Sequence, residues 1–126
     1  MTNEQTLSKK LLFRVHWKKA DIDVNLYERA WYGHILPRHS EDMQGKIPLV
    51  KEALEHCLEK NEIFQWARSE SDEWFVQYKC PHFDPYNNFL RISIRILAGK
   101  TAIVTSAYPV KNMPSEKEIR KYESNK

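Results

Sequence analysis

Cysteine is scarce in this chain. Cys57 and Cys80 stand alone, 23 positions apart, so no C-x-x-C pair for a metal or a redox couple exists, and two buried free thiols are expected. Long apolar runs are absent too; none approaches the roughly 20 residues that span a bilayer. Met1–Ser8 contains no basic region followed by an apolar stretch, so no secretory leader is expected and the cytoplasm is the expected location. Internal repeats, low-complexity tracts and linkers are missing, as is any H-x-x-x-H pair for zinc. The net charge of +3 and pI of about 8.8 come without a dense basic stripe. That balance permits a nucleic-acid partner without demanding one.

What is present describes a packed, water-compatible globule. The chain is 41% hydrophobic and 29% charged, with four tryptophans and a mean hydropathy of −0.69. At 126 residues it fits one domain with one core. Residues 10–110 supply that core, 1–9 are polar, and 111–126 form a charged tail of weak helical character.

Periodicity divides the core into elements. Leu11–Trp17 alternates and reads as a strand. Asp21, Asp23 and Asn25 are N-cap candidates for a helix running to about Leu36, which Gly33 and Pro37 weaken at its end. Pro48 opens a second helix over about 48–60, with Val50, Ala53, Leu54, Cys57 and Leu58 on one stripe. The period then switches to two. Residues 62–68 and 73–80 flank a turn at 69–72, a proline-bearing loop follows at 81–88, and Phe89–Leu97 and Thr101–Tyr108 complete the run. Trp31, Trp66 and Trp74 read as core. The expected fold is α+β: N-terminal helices packed on a four-stranded antiparallel meander, with an extra N-terminal strand as an option.

The chemistry-bearing stretch is Trp31-Tyr-Gly-His-Ile-Leu-Pro-Arg-His39, together with Thr105-Ser-Ala-Tyr108. Imidazoles are suited to moving protons at neutral pH, and guanidinium suits phosphate oxygens. His34 and His39, or one of them with Tyr108, could serve as base and acid in RNA cleavage through the 2′-hydroxyl. Arg38, Arg91 and Arg95 are phosphate candidates, Ser106 points to the same side as Tyr108, and Tyr78 or Tyr86 could stack a base. Plainer readings stand beside these. A histidine at a helix end can be a cap or a surface residue, and arginines on the wet side of a strand are ordinary. A metal set of His34, His39, His82 and a carboxylate lacks helical ligand spacing.

On His34-Ile-Leu-Pro-Arg38-His39 and on Ser106-Ala-Tyr108 with Thr105 before it, the chain resembles the superfamily uniting barnase, EndoU, colicin nucleases and RelE toxins, in its phage- and mobile-element-associated branch. The resemblance spans about residues 25–110. It implies a metal-independent ribonuclease with no cofactor. His34, Arg38, His39, Ser106 and Tyr108 would then surround the scissile phosphate; Arg91, Arg95 and Thr105 are taken from the residues themselves as substrate-binding candidates. RNA and an antitoxin or immunity protein are the implied partners. Serine in place of a threonine-like position, Pro37 beside Gly33, and the 81–88 loop depart from the family pattern. The alternative from another class is a non-catalytic module of the same fold that binds RNA or protein.

Overall fold

The computed structural model describes residues 10–68, 72–80 and 88–122. The turn expected at 69–72 and the loop at 81–88, with His82 and Tyr86, fall largely or wholly outside the described residues.

Strands β1 (Leu11–Trp17) and β2 (Ile22–Tyr27) form a hairpin. Its turn is closed by the Asp21 amide donating to the Lys18 carbonyl at 3.2 Å. A helical turn, Glu28–Ala30, leads into a π-wound stretch, Trp31–Ile35, and then helix α1, Leu36–Met43. Helix α2 is Ile47–Glu59. Strands β3 (Phe64–Trp66), β4 (Glu73–Lys79), β5 (Phe89–Leu97), β6 (Thr101–Val110) and β7 (Ile119–Lys121) follow. All belong to one seven-stranded sheet in the order β1-β2-β6-β5-β4-β3-β7.

This corrects the expected helices on a four-stranded meander. The sheet is mixed, because β2 runs parallel to β6 through Asp23↔Thr101, Val24↔Ala102 and Asn25↔Ile103. The segment 22–27 is a strand rather than the start of a helix. Ile22, Val24 and Leu26 are buried on one side, while Asp23 and Asn25 pair across to β1 instead of capping. Asn25 accepts from Arg14 at 2.8 Å, and Asp23 lies 2.8 Å from His16. Period-two alternation outweighed the capping propensity of Asp and Asn. The charged tail is not helical where it is described. It supplies β7, and Tyr122 beyond it packs edge-on against Trp17, with centroids 4.5 Å apart, and against Trp74 at 5.4 Å.

One sheet face carries the core. Val15, Trp17, Val24, Leu26, Leu90, Ile92, Ile94 and Val104 meet Trp31, Ile35 and the buried stripe of α2. Helix α2 packs on β1, β4 and β5, while the π stretch and α1 lie against β6. Burying such side chains contributes about 1.5–3 kcal/mol each. No described helix is long and apolar enough to cross a membrane.

Candidate functional site

The outer sheet face is built by a break in alternation. In β6, Ala102 and Val104 face the core, so strict period two would send Ser106 and Tyr108 inward as well. The register instead slips between Ser93 and Ile94: Ser93 opposes Ser106 and Ile94 opposes Val104. Thr105 is thus the extra residue of a β-bulge, and its hydroxyl donates to the Ser93 carbonyl at 3.2 Å. One inserted residue inverts the facing of everything after it. Ala107 becomes the buried residue, and Ser106 and Tyr108 turn outward.

His39 reaches the same face from the other side. Pro37 has no amide hydrogen and its ring crowds the carbonyl four residues back. The helix accommodates it by winding wide just before, where the Leu36 amide donates to the Trp31 carbonyl, five residues back. It then breaks at His39, whose φ of −138° and ψ of 37° are non-helical. The His39 imidazole lies stacked on Tyr108, with centroids 5.3 Å apart and planes 21° apart.

From Tyr108 the row continues across the sheet. The Arg91 guanidinium, on the strand position paired with Tyr108, sits 6.0 Å from the Tyr108 centroid and 5.1 Å from each of Trp66 and Phe75. Its Nε donates to Gln77 Oε1 at 2.8 Å, and among the described residues its Nη groups make no further hydrogen bond. Trp66 and Phe75 lie 5.0 Å apart, and Phe64 lies 6.0 Å from Phe75. Each cation–π contact contributes about 0.5–2 kcal/mol depending on exposure. The result is a cluster of rings packed around the Arg91 charge, with Phe75 buried at its centre and Trp66 exposed at its edge.

The sequence-nominated residues divide accordingly. His39, Tyr108 and Arg91 come together, and Ser106 faces their side two residues before Tyr108. His34 is half-buried on the π stretch and Arg38 is exposed; neither joins the ring row. Arg95 is engaged with Glu73 Oε2 at 2.7 Å, which neutralises it locally, and Thr105 spends its hydroxyl on the bulge. Tyr78 lies on the opposite, core-facing side. Its hydroxyl donates to Glu52 Oε2 at 2.7 Å, and that bond to a carboxylate pushes the phenol pKa up. Trp66, read as core, is 40% exposed. Trp66, Phe75 and Gln77 were missed as site residues. Their available signal was alternation, which puts Phe75 and Gln77 on the side of β4 opposite Val76.

Cys57 and Cys80 are both buried and free. Burial, with the nearby Glu62 charge, pushes the Cys57 thiol from 9.0 up to about 12, which suits an inert packing residue rather than a nucleophile. Among the described residues no three His, Cys, Asp or Glu side chains gather where they could hold a metal ion. No family model, no curated protein and no solved structure matches this chain.

Proposed function

We propose that this protein is a metal-independent endoribonuclease whose proton carriers are His39 and Tyr108, with Arg91 beside them for phosphate. The observation that carries the reading is the stacking of His39 on Tyr108 next to the Arg91 guanidinium, all three half-exposed on the outer sheet face. Stacked rings present their in-plane edges outward, so imidazole nitrogen and phenol oxygen can both address one bound group. In the proposed reaction one of them takes the 2′-hydroxyl proton. O2′ bonds to phosphorus, the P–O5′ bond breaks, and the other carrier protonates the departing O5′. The products are a 2′,3′-cyclic phosphate and a 5′-hydroxyl. Arg91 would stabilise charge on the phosphorane, and the Ser106 hydroxyl would donate to a phosphate oxygen. His34 enters only as a candidate second proton carrier, and Arg38 as an outer phosphate contact.

Such an enzyme acting inside a cell needs restraint. The exposed part of the outer face around His39, Tyr108 and Arg91 is the surface that an antitoxin or immunity protein would have to cover. The non-catalytic alternative also has an observation in its favour: a cluster of rings around a cation suits binding without cutting. The test is to incubate purified protein with single-stranded RNA in the presence of a chelator. Cleavage that persists, and that His39→Ala removes, supports the ribonuclease. Restoration by zinc or manganese after chelation would replace it with a metal enzyme, and binding without cleavage would leave the interaction module.

A further inference from the structure

Trp66 also lines a second feature, a recess of about 530 Å³ bounded by Ala67, Arg68, Lys117 and Glu118 where the ends of β3 and β7 meet. The two strands hold its floor: the Ala67 amide donates to the Glu118 carbonyl at 2.8 Å, and Trp66 pairs with Ile119. The Glu118 carboxylate is occupied, accepting the Ser115 amide at 2.9 Å, so it is turned to the local turn. Arg68 and Lys117 are both exposed. An exposed indole, already held in place by Phe75 and Arg91, therefore stands beside a recess carrying two solvent-facing cations.

We infer that this recess is a nucleobase subsite for single-stranded nucleic acid, in which a base stacks on Trp66 while Arg68 and Lys117 contact backbone phosphates. Stacking on an aromatic ring next to a positively charged track is how sequence-tolerant single-strand binding is achieved. The spacing fits one continuous strand. Tyr108, Arg91 and Trp66 lie on β6, β5 and β3, with the buried Phe75 of β4 packed beneath the step from Arg91 to Trp66, which covers about 14 Å at the ~4.8 Å strand separation, a span of a few nucleotides. The inference rests on reading the outer face as a nucleic-acid track, and it is independent of cleavage.

The experiment uses a fluorescein-labelled, uncleavable 2′-O-methyl RNA octamer, with the all-deoxy octamer as a second arm. Affinity is read by anisotropy, and indole contact by tryptophan fluorescence. The intact chain should bind with quenching of fluorescence. Trp66→Ala should weaken binding roughly 5- to 100-fold and remove much of the quenching, with Trp66→Phe retaining most of the affinity. Arg68→Ala and Lys117→Ala should each lower the salt slope by about 0.7. Equal binding of the all-deoxy octamer would assign the subsite to single strands in general; preference for the 2′-O-methyl strand would assign it to RNA. Binding that Trp66→Ala leaves unchanged overturns the inference even if RNA is cut. Absence of oligonucleotide binding by the intact, folded protein overturns it as well. Binding through Trp66 with no cleavage of RNA leaves this subsite standing and removes the ribonuclease.

Discussion

His39 and Tyr108 are the residues on which the account turns. His39→Ala should lower cleavage by about 100- to 10,000-fold, the range for loss of one acid–base group. Its ring is half-exposed, so circular dichroism and the melting temperature should barely change. Tyr108→Phe keeps the ring stack and removes only the hydroxyl, so a comparable rate loss would identify the phenol as a proton carrier. An unchanged rate would reduce Tyr108 to a platform. Cys57 gives a pH prediction of a different kind. Its folded pKa is raised from 9.0 to about 12, so the native state keeps a proton that the unfolded chain releases. The stability tied to that proton is complete below about pH 9 and is lost as pH rises towards 12. Denaturant titrations at pH 8 and pH 10.5 should show the loss, and Cys57→Ser should flatten the difference. These residue types and their clustering were readable from sequence. The partners of Arg91 were not, because Trp66, Phe75 and Gln77 come from strands distant along the chain.

At the scale of elements, two local irregularities assemble the site. The bulge at Thr105 turns Ser106 and Tyr108 outward, and the π-wound stretch before Pro37 with the break at His39 brings the imidazole to them. Thr105→Val should cost about 0.5–1.5 kcal/mol in denaturant unfolding, the net value of its hydroxyl bond to Ser93. Loss of RNA cleavage well beyond that stability change would mark a shift in the register of Ser106 and Tyr108. Neither irregularity is written plainly in the sequence. Simple alternation predicts that Ser106 and Tyr108 share a side, which holds, but it says nothing of which side. The β1 strand, the α2 stripe and the strong β5 alternation were legible because each obeys one clean period. The segment 22–27 departs from the expected helix because Asp21, Asp23 and Asn25 suit a helix cap, whereas Asp21 serves the hairpin turn, Asp23 faces His16 and Asn25 is buried as the acceptor for Arg14. The tail hid β7 for a related reason: its strand is short and charged, and its stability comes from pairing with β3. Tyr122→Ala should show how much the tail matters, costing roughly 1–3 kcal/mol in unfolding free energy. A negligible change would mean that Tyr122 does not anchor the tail to the sheet.

For the whole molecule, the fold divides its labour between two faces of one sheet. The inner face and α2 hold the core, while the outer face carries a cluster of rings and the Arg91 charge. The parallel β2–β6 contact could not be read from local periodicity, since it joins segments nearly eighty residues apart in sequence. If that outer face cuts RNA inside a cell, expression should arrest growth, and His39→Ala should relieve the arrest. The central claim, that the 2′-hydroxyl is the nucleophile and His39 with Tyr108 moves the protons, is tested most directly by one substrate comparison. An RNA oligonucleotide and the all-deoxy strand of the same sequence are incubated with the protein in chelator, and the products are weighed by mass spectrometry. The account predicts 2′,3′-cyclic phosphate ends from RNA, an untouched DNA strand, and neither product from the His39→Ala protein. Equal cleavage of both strands, or RNA ends lacking the cyclic phosphate from the start of the reaction, would contradict it.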